Sequence, residues 1–139
     1  MQSKLLLDTS FLFALNDSTD SKHHQAVRFA ARSRDVRVIA QVALPETAYM
    51  LETHAGEHAL FRFWESLDSP DIQLEAVSKA DLRRAREIRI QYADARFDFV
   101  DCCIMALSER LNITQVCTFD RRDFSIFRPS HTDYLELLP

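Results

Sequence analysis

The sequence predicts an α/β fold in which a largely parallel sheet is covered by helices, and two observations carry that expectation. Strand-like apolar runs alternate with helical periodicity along the chain, the order expected of βαβ units. Two of those runs end in an acidic residue, Asp8 after Leu5-Leu6-Leu7 and Asp120 after Val116-Cys117-Thr118-Phe119. Carboxyl ends of parallel strands are where such sheets collect ligands. With 139 residues, 47% of them hydrophobic, there is material for one core and too little for two, so a single domain over 1–139 is expected.

The first strand spans Lys4 to Asp8. Asp17 to Ser21 supplies loop and capping residues before a helix from about 22 to 33, with Ala26, Phe29 and Ala30 on one face. Val36 to Val42 is rich in β-branched residues and reads as the second strand. Pro45 at a helix N1 position starts a helix that runs to about His54, because its missing N–H falls among donors that a helix start leaves unpaired. Gly56 breaks that helix. From Glu57 another follows, with Leu60, Phe61, Trp64 and Leu67 at the spacing of a buried face. Ile72, Leu74 and Ala76 alternate as a short strand, and Ser78 caps a helix over 79–92 with Leu82, Ala85 and Ile88 inward. Its arginines Arg83, Arg84, Arg86 and Arg89 form either a solvated face, the ordinary case for an outer helix surface, or part of a polyphosphate path. Val100, Cys103, Ile104, Leu107 and Leu111 recur at helical spacing over 99–111. Ile113 to Thr118 is a strand, and Tyr134 to Leu137 a short last one.

Composition removes several classes of function. No apolar run approaches the roughly 18 residues of a membrane span. The stretch Leu5 to Leu15 resembles a leader, but Asp8, Thr9 and Ser10 interrupt it, so a cytoplasmic protein is expected. Three cysteines, two of them adjacent, lack the C-x-x-C spacing of a zinc or redox site and read as small core residues. A single glycine rules out the glycine-rich phosphate cradles of nucleotide-binding proteins. The net charge of −4 argues against holding nucleic acid by bulk electrostatics, though it permits a nuclease whose metal ions and local arginines meet the phosphates.

The chemistry lies in Asp8, Glu46, Asp101 and Asp120. Each acid alone has a structural explanation: Asp98 caps the last long helix with Asp101 at N3, Glu46 lies in a first helical turn, and Asp8 and Asp120 terminate strands. Together at one sheet edge, four carboxylates would repel one another unless a divalent cation joined them. Oxygen-only ligands select hard ions such as Mg²⁺ or Mn²⁺, which activate water against phosphodiesters.

Leu-Leu-Leu-Asp-Thr-Ser at 5 to 10, Pro-Glu-Thr-Ala at 45 to 48, Phe-Val-Asp-Cys-Cys-Ile-Met-Ala-Leu-Ser-Glu-Arg at 99 to 110 and Thr-Phe-Asp-Arg-Arg-Asp-Phe at 118 to 124 resemble the motifs of PIN-domain ribonucleases, in particular the VapC-like toxins of type II toxin–antitoxin systems. The resemblance covers nearly the whole chain. It implies a three-layer α/β/α fold with a central parallel sheet of about five strands, and Mg²⁺- or Mn²⁺-dependent cleavage of RNA. Carried over by position, Asp8, Glu46, Asp101 and Asp120 are the metal ligands and catalytic acids, supported by Ser10 and Thr118, with Asp98 and Asp123 as further acids. Arg121 and Arg122, next to Asp120, are placed to contact RNA phosphate or else belong, with Asp123, to a charged solvent-exposed turn. A cognate VapB-like antitoxin that occludes the acids and a homodimer are implied as well. The apolar excess of Leu60, Phe61, Phe63 and Trp64 is a candidate surface for either partner.

Three other readings compete. A PIN-like domain that only binds RNA or protein has no need of all four acids. An RNA-processing nuclease that is not a toxin shares the same site. His54-Ala55-Gly56-Glu57-His58 matches the H-x-x-E-H zinc-peptidase pattern, which requires both histidines on one helix face, and Gly56 weakens that helix.

Overall fold

The computed structural model describes residues 2–139. Its centre is a sheet of five parallel strands, β1 (Lys4–Leu7), β2 (Val36–Ala40), β3 (Ile72–Glu75), β4 (Gln115–Cys117) and β5 (Glu136–Leu138), in the spatial order β3-β2-β1-β4-β5. The chain therefore builds outward from β1 in one direction, then returns to β1's other side with β4. That reversal leaves a crevice at the carboxyl ends of β1 and β4, the place where open α/β sheets bind ligands.

Helices cover both faces, giving the expected three layers. The alternation of β1 shows how: Leu5 and Leu7 face α1 (Thr9–Asn16), α2 (His23–Arg32), α3 (Ala43–Ala55) and α4 (Glu57–Ser66), packing with Phe11, Leu12, Ala26, Leu51 and Phe63. Leu6 faces the opposite core with Val38 of β2 and with Ala85, Ile88, Ile104 and Leu107 from α5 (Lys79–Gln91) and α6 (Phe99–Arg110). Burying side chains on both faces of a parallel strand demands the unbroken apolar run that Leu5-Leu6-Leu7 provides. In α6 every residue from Cys102 to Ser108 is buried, as befits a helix enclosed by neighbours on all sides. The cysteines Cys102, Cys103 and Cys117 are free, buried core residues, their thiols pushed up to about 11, 11 and 12 chiefly by burial, which keeps them protonated and inert.

Several local expectations need correction. The leader-like stretch after Asp8 is helix α1, for which the Asp8 side chain is the N-cap. Pro45 is the third residue of α3, not its first, and its missing N–H is still one the helix start leaves without an internal partner. On α4 the inward stripe is Ala59 and Phe63; Phe61 and Trp64 point outward at 50% and 64% exposure, with Leu60 and Leu67 at the margin. On α5 Leu82 is exposed while Asp81 is buried, because Asp81 closes a capping box with Ser78 and accepts Arg110 from α6. Leu74 also stays partly exposed, since β3 is an edge strand. The charged turn after Asp120 contains a short helix, α7 (Arg122–Ile126), and the last strand begins at Glu136 instead of Tyr134. No helix among the described residues is long and apolar enough to cross a membrane.

Candidate active site

Asp8 directly follows β1, and its N–H donates to Cys117 O of β4 at 3.1 Å, so strand pairing itself sets it in the crevice. Its carboxylate is almost fully buried and every neighbour found on it is a donor. Ser10 Oγ donates to Oδ1 at 2.7 Å, Phe11 N–H to the same oxygen at 3.1 Å, and Thr118 Oγ1 to Oδ2 at 2.6 Å. Ser10 is a hub: besides donating to Asp8, its oxygen accepts the N–H groups of Phe119 at 2.9 Å and Asp120 at 3.2 Å. With one donor and two acceptor sites filled, the Ser10 hydroxyl has no rotational freedom left. Two residues on β1 and α1 are thus tied to the segment after β4, and Ser10 and Thr118 fall where the sequence expected supporting residues.

Asp101 enters from the start of α6. Asp98 is the N-cap, accepting the Asp101 N–H at 3.0 Å, and Asp101 is the third helical residue, as the sequence indicated. Burial is the main reason that the Asp101 carboxyl is pushed up to about 9; a hydrogen bond with Asp123 and the negative charges of Asp98, Asp8 and Asp123 raise it further. Asp8 is also raised, by burial, against the lowering effect of Thr118, Ser10 and the Phe11 N–H. Asp123 is buried in α7 beside Arg122, whose Nη1 lies 2.7 Å from its Oδ1. The structure therefore gathers Asp8, Asp98, Asp101 and Asp123.

Glu46 and Asp120 are exposed and outside this cluster, Glu46 in the first turn of α3 and Asp120 tied to it through its N–H, which donates to Ser10 Oγ and to Thr118 Oγ1 at 3.1 Å. Among the described residues, no group of three or more acidic, histidine or cysteine side chains stands close enough to hold a metal ion together. The donor chemistry nonetheless fits a hard divalent cation: the acids are oxygen ligands, and burial together with the neighbouring carboxylates raises Asp101 far above the ordinary carboxylate range, the setting a positive charge would relieve. Asp8 and Asp101, whose carboxylates lie close enough to act on each other, could hold it.

The arginines are occupied otherwise. Arg122 pairs with Asp123, and Arg121 Nη2 donates to the Pro139 backbone oxygen. Sequence reading passed over Phe119, which stacks on Phe11 at 5.8 Å between ring centres while its N–H holds Ser10. Only its place between Thr118 and Asp120 hinted at a role. The H-x-x-E-H pattern does not form a zinc site: His54 ends α3, Glu57 starts α4, and Gly56 between them turns the chain at φ 91°.

An acid-lined crevice at the reversal point of a parallel sheet, closed by α6, defines the class. Residues 5–128 match the PIN domain model, and the chain belongs to that family. It is similar to the ribonuclease VapC26 of Mycobacterium tuberculosis, 27% identical over 125 residues that cover 90% of this chain and 93% of the relative. It is also similar to the 23S rRNA-specific endonuclease VapC20 of Mycobacterium tuberculosis, 30% identical over 122 residues, 87% of this chain and 92% of the relative. The crystal structure of VapC20, a sarcin-ricin loop cleaving toxin, superposes with a TM-score of 0.82 at 25% identity, covering 92% of this chain and 98% of that one. A toxin–antitoxin complex from Klebsiella pneumoniae contains a chain of the same fold, with a TM-score of 0.66 at 19% identity over 87% of this chain and 90% of its own.

Proposed function

We propose that the chain, as one nuclease domain over 1–139, is an endoribonuclease that hydrolyses RNA phosphodiesters with Mg²⁺ or Mn²⁺ held by Asp8, Glu46, Asp101 and Asp120, and that it is the toxin of a toxin–antitoxin pair. The observation that carries this reading is the buried Asp8 carboxylate, oriented on both oxygens by Ser10 and Thr118, beside an Asp101 whose carboxyl is raised by burial and, further, by its acidic neighbours. When bound, a divalent cation supplies the Lewis acidity that makes water a nucleophile at neutral pH and offsets charge on the leaving oxygen.

The side chains divide the remaining tasks. Asp8 presents a carboxylate whose rotation Ser10, Thr118 and the Phe11 N–H prevent, so little ordering is needed when the site fills. Asp101, raised first by burial and then by its acidic neighbours, would hold the cation as a carboxylate beside Asp8. Glu46 and Asp120 would complete the ligand set from the exposed side, while Asp98 caps the helix that carries Asp101 and, with Asp123, maintains the negative field. The ribonuclease names of VapC26 and VapC20 support RNA as the substrate.

The solved toxin–antitoxin complex of the same fold supports an antitoxin that covers the acids. The exposed rings of Phe61 and Trp64 support an apolar interface, with the antitoxin or within a homodimer. Buried reduced thiols suit a cytoplasmic protein.

The test is cleavage of a purified cellular RNA pool by wild type and Asp8→Asn, each with Mg²⁺, Mn²⁺ and EDTA. Asparagine still caps a helix, so α1 survives while the charge is lost. Cutting that requires metal and falls at least about 10²- to 10³-fold in the variant is expected, the scale of losing one electrostatic stabiliser. Equal cutting by both proteins, or cutting in EDTA, would overturn the reading.

A further inference from the structure

A crevice lined by acids must still receive a polyanion, and the flanking phosphates of an RNA strand need cations that the site itself does not provide. The arginines next to Asp120 are poorly free to do so, Arg122 being paired with Asp123 and Arg121 bonded to Pro139. Lys22 is in a different position. Its ammonium lies over the ring of Phe119, 6.0 Å from the centroid, at the reach of a cation–π contact. It is exposed, and among the described residues it makes no ion pair.

The platform beneath it is rigid. Phe119 stacks on the buried Phe11 with the ring planes 19° apart, and its N–H is bound to Ser10 Oγ, the hydroxyl that orients Asp8. The Lys22 backbone is fixed as well, its N–H donating to Asp20 Oδ2 at 2.9 Å just ahead of α2. One uncommitted cation is thus parked on the residue next to Asp120, connected through Phe119 and Ser10 to the central carboxylate. With the Phe119 ring engaged by Phe11 and Lys22, the contact it offers an incoming strand is the ammonium.

We infer that Lys22 is a substrate-binding residue of this site, contacting an RNA backbone phosphate next to the one that is cut. This rests on the ribonuclease reading above. The contact is sequence-independent, so it strengthens binding uniformly and adds to the salt dependence without selecting a base.

Two measurements test it on the full chain. In the first, cleavage of purified 23S ribosomal RNA with Mn²⁺ is followed against RNA concentration for wild type, Lys22→Ala, Lys22→Arg and Lys4→Ala, the last removing an exposed lysine at the far end of β1. In the second, retention of a labelled cellular RNA pool in EDTA is followed from 50 to 200 mM KCl. Lys22→Ala should raise KM about fivefold with kcat unchanged and lower the slope of log affinity against log salt by about 0.7 to 0.9, one phosphate contact, while Lys22→Arg restores both. Retention and salt slope unchanged in Lys22→Ala, with metal-dependent cutting intact, would overturn this inference alone. Wild-type protein that neither cuts nor retains RNA would overturn it together with the ribonuclease reading.

Discussion

The two ends of α6 carry buried acids in opposite circumstances. At the amino end Asp101 faces Asp8, Asp98 and Asp123, and its carboxyl is pushed up to about 9. At the carboxyl end Glu109 takes two bonds from Arg84, at 2.7 and 3.0 Å, plus the Ser130 N–H, while Arg110 donates to Asp81 at 2.9 Å. Burial raises both of those acids too, yet their arginines and N–H donors outweigh it and hold Asp81 and Glu109 below the usual carboxylate range. Burial pushes all three acids up, and what differs is whether a cation answers it. Asp81 and Glu109 bring their own counter-charge; Asp101 and Asp8 have none, which is the condition of a site that takes its positive charge from outside.

The comparison can be broken first where it is structural. Arg110→Met would leave Asp81 buried without its cation and should destabilise the fold by about 2–3 kcal/mol in urea unfolding, below the full cost of breaking a buried pair because Arg110 is partly exposed. RNA cleavage at temperatures where the variant is folded should be nearly unchanged. At the other end the balance reverses. Thr118→Val removes the 2.6 Å bond to Asp8 and should lower activity or metal affinity about 10- to 100-fold with little effect on the unfolding midpoint.

A smaller effect sharpens the contrast through pH. Asp81 and Glu109 have lowered folded values, so below pH 5 the unfolded chain binds more protons and the stability that they contribute is lost as pH falls. Asp101 has the opposite sign. Between its ordinary value near 4 and about 9, the folded protein holds a proton that the unfolded chain lacks, so without metal its contribution weakens as pH rises, at up to about 1.4 kcal/mol per pH unit. Thermal unfolding in EDTA should show both limbs, and saturating Mn²⁺ should flatten the alkaline one only.

Much of this was legible in the sequence because it is local. Leu5-Leu6-Leu7 followed by Asp8 announced a buried parallel strand with an acid at its end, and Asp98 and Asp101 occupy the N-cap and N3 positions their spacing indicated. Ser78 likewise caps α5. What the sequence concealed was mostly set by tertiary neighbours. Helix α1 is rich in aromatic and apolar residues and continues the run of β1, so periodicity alone did not separate the two. Helix α7 is five residues long, too short to show a period, and it carries Asp123 into the cluster. The outward turn of Trp64 depends on how α4 lies against α3, which no pattern within α4 records.

The bond between Thr118 and Asp8 joins residues 110 positions apart. A ribosome making this chain must therefore finish β4 before Asp8 can acquire the hydroxyl that fixes it, and the segment bearing Asp120 and Asp123 emerges later still. A chain that extends only as far as β3 carries Asp8 and Glu46 but neither the hydroxyl of Thr118 nor the carboxyl of Asp101. Because β4 pairs with β1, the first strand made stays an edge until the fourth arrives, and the carboxylate at its end is oriented only then.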